Sequence, residues 1–502
     1  MSCKNHQFFS IISVQVYGLL FCLATVTGCA VGPDYRPVQI SVPESYAGPV
    51  AGAVLSAPDE IRWWTAFDDP MLSSLVERAI YSNLDMKLAA SRIRQARAAR
   101  NVALAGFGPN VNAGGSFQRS QSSLGSFGSS TGGTDGVTSS QFQAGFDAAW
   151  ELDIFGGVRR SVEAADADLL ATVEESRGIF VTLAAEVAVN TIDLRAFQQR
   201  TLIARQNLRA QRHNAELTRK RFIGGFIGGL DVANADAQAA TTAAEIPLLE
   251  ASAAQAIYRL SLLIGREPGA LILELSEASA IPVASPLVPV GAPSQLLRRR
   301  PDIRKAEAEI HAATARIGVV TADLFPKVTL YGSAGFQNRE FSSWMDWSNR
   351  FWSFGPSVSW QVFNTGRTLS NIELMEAFQE QAMISYQQTV LSALQEVDNA
   401  LIASEKEQER RNSLEDAVAA SRKSVEIATR LYTLGQTDFL NVLLAQRSQY
   451  ASEEALAQST RTVSTNLIAL YKSLGGGWEV VLSAPDEIPA RSFLIDETGI
   501  SR

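Results

Sequence analysis

The residue whose surroundings define the clearest chemistry is Cys29. It ends the run Val26-Thr27-Gly28-Cys29, which resembles the bacterial lipobox, where the thiol is lipidated and becomes the new N-terminus. Residues 1–28 supply the signal: Lys4 gives a positive start, and Phe8 to Val26 is mostly apolar, interrupted by Ser10, Ser13 and Gln15. An ordinary signal peptide with a chance cysteine has the same outline. Ala30 follows the cysteine, and the absence of Asp there is compatible with the outer membrane. A diacylated, N-acylated cysteine exceeds the single-chain minimum for stable anchoring.

Other reactive residues are scarce. Cys3 and Cys22 lie in the signal, so the mature chain has one cysteine and no intrachain disulfide. His6, His213 and His311 stand in unrelated contexts, which disfavours a histidine-built metal site or a Ser-His-Asp triad. No HExxH, P-loop or GxGxxG pattern occurs. The expectation is a protein without cofactor or metal and without enzymatic activity. A net charge of −8 argues against nucleic acid as a partner. Hydrophobic content is 46%, yet no run of 18 apolar residues follows the N-terminus, so a membrane-spanning helix is not expected in the mature protein.

The elements that must position any site are unusual in length. Residues 367–433 contain neither proline nor glycine, enough for one helix of about 100 Å. Leu391, Leu394, Val397 and Leu401, then Leu414, Val418 and Val425, predict a narrow apolar seam for lateral helix packing. Residues 158–223 repeat the pattern with a single glycine, Gly178. Shorter helices are predicted over 71–80, 84–106, 230–264 and 294–323. Strands are predicted near 111–118, 142–153, 328–337 and 354–363. In the second, Phe142, Ala144, Phe146, Ala148, Trp150 and Leu152 alternate with Gln143, Gly145, Asp147, Ala149, Glu151 and Asp153. Such alternation means two faces in different solvents, and the length suits a tilted bilayer crossing.

The chain is duplicated. Asp85 and Asp302, Ala89 and Ala306, Ile93 and Ile310, Pro109 and Pro326, and Val111 and Val328 all differ by 217 in number. Trp150 and Trp360, Gly156 and Gly366, Gly225 and Gly435, Val232 and Val442, and Gly265 and Gly475 all differ by 210. The offset changes once, inside the loop between paired strands, where insertions cost little. The expected organisation is a signal peptide over 1–28, a lipid-anchored extended tether over 29–69 and a first repeat over 70–265. A connecting segment over 266–293, a second repeat over 294–477 and a tail over 478–502 follow. Four strands per chain are too few to close a barrel, so a membrane sheet of this kind requires oligomerisation.

Several segments together resemble the TolC/OprM outer-membrane efflux proteins, in particular their NodT-like lipoprotein branch. They are Cys29-Ala-Val-Gly-Pro-Asp-Tyr35, Trp63-Trp64-Thr-Ala-Phe67-Asp-Asp69-Pro70, Leu297-Arg-Arg-Arg-Pro301-Asp-Ile303, Leu324-Phe-Pro326, Val362-Phe-Asn-Thr-Gly366-Arg367 and Tyr386 to Val397. The resemblance implies a mainly α fold with β: a homotrimer whose 12-stranded outer-membrane barrel continues as a periplasmic α-helical barrel. It implies a passive duct served by an inner-membrane transporter and a periplasmic adaptor, embedded in outer-membrane lipid. Gly224, Gly225, Gly228, Gly229, Gly435, Gln436 and Thr437 would then form the adaptor-contact turns. Members narrow the tube with acidic rings there; Asn441 and Leu444 stand where Asp is frequent, so Asp231, Asp438 and Asn441 are the gate candidates. Each Asp could equally be a helix N-cap. Gln143, Asp147, Glu151 and Asp153 would line the barrel lumen, with Phe142, Phe146 and Trp150 toward lipid. Arg298-Arg299-Arg300 reads as a solvated surface at a helix junction. The competing reading is a non-transporting envelope scaffold lipoprotein, for which amphipathic strand pairs would have no use.

Overall fold

The computed structural model describes residues 30–48, 53–54, 62–121, 138–284 and 288–479. Cys29 and the signal segment lie outside the described residues. The chain divides into two compact units. One comprises Met1–Val38, Ile93–Ala171 and Glu307–Ser385, and the other Gln39–Arg92, Thr172–Ala306 and Tyr386–Arg502. Each unit draws matching pieces from both halves of the chain.

The first unit holds a four-stranded antiparallel sheet: β1 (Asn110–Gln121), β2 (Thr138–Leu152), β3 (Lys327–Asn338) and β4 (Arg350–Ser359), in that spatial order. Each repeat supplies one hairpin, and β2 pairs with β3 to join them. Side chains alternate across a strand, so the register sorts the residues into two faces. Across the sheet, Ala113, Phe146, Ala334 and Trp352 form one row, and Gly115, Ala144, Phe336 and Arg350 the next. The opposite face carries Asn112, Asp147, Ser333 and Ser353, again in one row. Gly145 and Gly335 face each other on the polar side. A Cβ on Gly145 would lie 2.6 Å from the Ala334 carbonyl oxygen, and one on Gly335 would lie 2.3 Å from that of Ala144. The backbones approach too closely there for any side chain, a means of curving a sheet.

Two indoles fix the strand ends in the same way in both repeats. Trp150 Nε1 donates to the Phe107 carbonyl at 2.9 Å, and Trp360 Nε1 donates to the Leu324 carbonyl at 3.0 Å. The fourth strand starts at Arg350, earlier than the expected 354, and ends at Ser359. The alternation runs upstream through Phe354 and Trp352, and residues Val362–Asn364 turn into a 3₁₀ helix instead.

The N-terminal segment is strapped to this unit, so the expected tether is not free at its start. Val31 N donates to the Phe155 carbonyl at 3.0 Å, and Arg160 bridges Asp34 at 2.6 Å and Glu163 at 2.8 Å. The Tyr35 ring stacks on His311 at 4.3 Å, and its hydroxyl donates to Glu307 at 3.1 Å.

The second unit is helical, and several helices have residues in both units. Helix α1 (Pro70–Ser82) has Pro70 in its first turn and Asp69 as N-cap, accepting from the Met71 and Leu72 amides. It is followed by α2 (Leu84–Ala105), α3 (Gly157–Ile223) and α4 (Gly229–Leu263). The second repeat supplies α5 (Pro293–Arg299), α6 (Pro301–Ala322), α7 (Thr365–Thr433) and α8 (Phe439–Ser473). Helices α3 and α7, of 67 and 69 residues, are each about 100 Å long. The buried seam of α7 is Tyr386, Val390, Ala393, Val397, Ala400 and Leu401, at spacings of three and four. Val397, Leu401 and Val418 are buried as expected, whereas Val390 and Ala393 take the places expected for Leu391 and Leu394, and Leu391 is exposed.

Both return helices end alike. At the end of α4, Gly265 N donates to Leu262 and Arg266 N to Ser261; at the end of α8, Gly475 N donates to Lys472 and Gly476 N to Tyr471. These are Schellman caps. Against them sits one side chain in each repeat. Asn83 Nδ2 donates to the Leu263 carbonyl at 2.8 Å, and Arg300 Nη1 donates to the Ser473 carbonyl at 2.8 Å. Arg300 is therefore not the solvated residue expected from its Arg-rich run. It is buried and paired with Asp302 at 2.7 Å and Glu396 at 2.8 Å, while Arg298 remains exposed.

The supposed tether also ends in structure. Trp63–Phe67 is a 3₁₀ turn with Trp63, Trp64 and Phe67 buried, and Trp63 stacks on Tyr471 at 5.4 Å. Trp478 opens the expected tail, yet it is buried under Arg177 at 4.4 Å and donates to the Arg299 carbonyl. Aromatic area of this kind is too costly to leave in water.

Three long helices are stitched by Glu453 of α8. It accepts from Arg422 of α7 at 2.8 Å and from Asn207 of α3 at 3.0 Å, with Gln449 of its own helix at 3.0 Å. Burial pushes the Glu453 carboxyl up, and the bonds from Gln449, Arg422 and Asn207 more than reverse this, leaving it below the usual carboxylate range. A lowered value stabilises the fold above the unfolded-state pKa, and that stability is lost as pH falls through the folded-state value. Glu453→Gln should therefore lower the thermal midpoint of the protein at pH 7 by several degrees. The gap to the parent should narrow on acidification below the ordinary glutamate pKa. A constant gap down to pH 3 would refute the assignment.

Candidate functional site

The two turns that join long helix to return helix match bond for bond. At the end of α3, Gly225 N donates to Phe222 and Phe226 N donates to Arg221; at the end of α7, Gly435 N donates to Tyr432 and Gln436 N to Leu431. Gly225 and Gly435 both adopt left-handed backbone, at φ 75° and 74°, where a Cβ is disfavoured. Gly224 and Gly228–Gly229 complete the first turn, and Gln436 and Thr437 the second. The turns expose apolar side chains: Ile223, Phe226 and Leu230 at the first, and Leu434, Leu440 and Leu444 at the second.

The gate candidates occupy matching places. Asp438 is the N-cap residue of α8, with extended backbone at φ −81° and ψ 157°, but its side chain makes no capping bond and is exposed. The corresponding N-cap of α4 is Gly228. Asp231 lies in the first turn of α4, half-buried. Asn441 donates from Nδ2 to Thr437 Oγ1 at 2.8 Å and is committed to its own turn. The two carboxylates are thus available for charge work, and Asn441 serves the turn geometry.

A contact that sequence patterns do not signal joins the two turns. Arg221, at the end of α3, donates from Nη1 to the Tyr432 carbonyl at 2.7 Å and lies over the Tyr432 ring at 4.5 Å. Tyr432 is buried with Phe439, Val442, Leu443, Ala215 and Ala235. Its hydroxyl is buried without a partner among the described residues. Arg219 adds a two-pronged bridge to Asp236 at 2.9 Å between α3 and α4.

On the sheet, Gln143, Asp147 and Glu151 share the polar face, and Asp147 accepts from Asn112 Nδ2 at 3.1 Å. Asp153 does not belong with them. It lies past the end of β2, and its carboxylate accepts from the Val158 and Arg159 amides at 2.9 and 3.0 Å and from Arg159 Nε at 3.0 Å. It anchors the start of α3, where free amides and the helix dipole favour a carboxylate. The alternation of residue types extends one residue beyond the strand. Phe142, Phe146 and Trp150 lie on the opposite, apolar face.

A sheet with one apolar and one polar face, coupled to helix pairs of this length, defines an outer-membrane channel. The profile of the outer membrane efflux protein family matches residues 75–266 and 292–476, one segment in each repeat. The chain belongs to that family. It is 31% identical over 473 residues to nodulation protein T of Rhizobium leguminosarum bv. trifolii, covering 93% of this chain and 98% of the relative. It is 31% identical to the outer membrane protein OprJ of Pseudomonas aeruginosa, covering 92% and 96%. A solved structure of the outer-membrane channel OprN superposes with a TM-score of 0.82 at 39% identity, covering 90% of this chain and all of that one. The chain is an outer-membrane efflux channel with a trimeric TolC-like fold that extends into the periplasm.

The matched turns give a direct test. Gly225→Ala and Gly435→Ala should each cost the turn about 1 kcal/mol. Amide exchange at Phe226 and Gln436 should accelerate, with trimer assembly unchanged. Unaltered exchange in both variants would show that the left-handed glycines are not needed there.

Proposed function

We propose that the two glycine turns are the periplasmic closure of a passive duct and the docking points of its adaptor. The observation that carries this reading is the link between the turns: Arg221 binds both the carbonyl and the ring of Tyr432. A cation–π contact combined with a charge-assisted hydrogen bond holds two helix ends together and releases without unfolding either. Asp438 and Asp231 add negative charge beside the closure, and threefold repetition of unpaired carboxylates attracts cations and resists close approach. The exposed apolar residues Phe226, Leu230 and Leu440 supply contact area for an adaptor, which an inner-membrane transporter would supply with cargo. The polar face with Gln143, Asp147 and Glu151 lines the barrel lumen. The activity proposed is conduction alone.

The test is single-channel recording of the purified trimer in planar bilayers. Arg221→Ala should raise the leak conductance several-fold over the parent. Asp231→Ala combined with Asp438→Ala should lower cation preference. Absence of any conductance from an intact trimer, in parent and Arg221→Ala alike, would favour a scaffold role. Unchanged leak in Arg221→Ala would remove the latch.

A further inference from the structure

The apolar face of the sheet contains a groove of about 880 Å³. Its floor is made of residues with little or no side chain: Ala113, Gly115, Ala144 and Ala334. Phe146, Phe336 and Trp352 rise around it as walls. This combination follows from the register, since each row mixes small and large residues across the four strands. A groove of that size between aromatic rings, on a face turned toward hydrocarbon, has the shape and polarity for acyl chains.

One end of the groove is charged. Trp347 and Arg350 close it, and the Trp347 ring lies 6.5 Å from Phe336. Arg350 stacks over the Trp347 ring at 4.8 Å and donates from Nη1 to the Trp347 carbonyl at 2.7 Å. Those contacts hold the guanidinium in place and leave its other N–H groups unused. No carboxylate pairs with it among the described residues. Arg119 stands on the same face near the same end, two residues beyond Phe117. Glu340 and Asp346 lie in the connection between β3 and β4, both exposed and neither bridged to Arg350.

We propose that this groove is a binding site for lipid A, the phosphorylated and multiply acylated glycolipid of the outer leaflet. The helices leave from the opposite ends of the strands and extend into the periplasm, so the β3–β4 connection faces outward. Arg350 therefore sits at the depth of outer-leaflet phosphates. A guanidinium with free donors accepts a phosphate through two parallel hydrogen bonds, strengthened by the low dielectric of its surroundings. One acyl chain fills the groove over the Ala113–Ala144–Ala334 floor, and the phosphate rests on Arg350. The site lies within one protomer's sheet.

The test is lipid titration of the delipidated trimer, read by native mass spectrometry. Lipid A should bind about tenfold more tightly than its enzymatically dephosphorylated form, the scale of one charge-assisted contact. Arg350→Ala should abolish that difference, and Arg350→Lys should restore part of it. Ala144→Leu, which fills the floor and leaves the charge, should weaken both lipids equally. The trimer mass in the same spectra reports assembly of each variant, and bilayer conductance should match the parent. Equal binding of the two forms, or an undiminished preference in Arg350→Ala, would overturn the proposal. Equal affinity for phosphatidylglycerol would assign the groove to phospholipid and overturn the lipid A assignment.

Discussion

Every backbone N–H and C=O of a strand in hydrocarbon needs a partner, because each group left unpaired there costs several kcal/mol. The four-stranded sheet satisfies its interior but leaves two edges, on β1 and β4. No rearrangement of one chain can remove them, and curvature alone does not close four strands. Pairing with the edges of further copies does, which makes assembly a condition of insertion. The close approach of Gly145 and Gly335 fits this demand, because a sheet that must close has to bend, and it bends where side chains are missing. The same sheet then has to present opposite chemistry on its two sides, which the strict alternation achieves without a single charged residue in the row Ala113–Phe146–Ala334–Trp352.

The helical unit meets a different constraint. Helices of about 100 Å cannot bury a broad apolar face in one protomer, and α7 buries a seam of mostly small and β-branched residues. Fixation comes instead from points. Schellman turns end α3, α4, α7 and α8, and the residues packed on the return-helix ends, Asn83 and Arg300, satisfy carbonyls that those ends leave open. Buried charge inside this unit is paired: Glu174 accepts on one carboxylate oxygen from both Arg177 at 2.5 Å and Arg304 at 2.7 Å. Removing one member of such a set would strand a charge, so the sets hold the helices in one register.

Much of this architecture is legible in the residues themselves. Period-two alternation marked the sheet, the absence of proline and glycine marked the long helices, and two constant offsets revealed the duplication. These are local signals or signals of self-similarity. What the sequence hid depends on contacts between distant positions. Asp153 continued the alternation of β2 by identity, but the chain had already turned to start α3. Arg300 looked like one of three equivalent surface arginines until the end of α8, more than 170 residues later, came to rest against it. The N-terminal segment read as a tether because its prolines and glycines say nothing about Tyr35 stacking on His311. The link between Arg221 and Tyr432 had no pattern to announce it, since an arginine and a tyrosine at helix ends are individually unremarkable.

The duplication and the threefold assembly together set a symmetry that neither has alone. Gly225 and Gly435 make the same turn, so a trimer carries six turns of one backbone form. The side chains do not follow it. Gly228 in one turn answers Asp438 in the other, Asp231 answers Asn441, and Phe226 answers Gln436. The turns are therefore of two kinds, an aromatic variant and an amide-rich one, that share one backbone form. A partner can engage all six by shape and still distinguish two kinds of position by chemistry, so one circular assembly can offer two inequivalent sets of contacts.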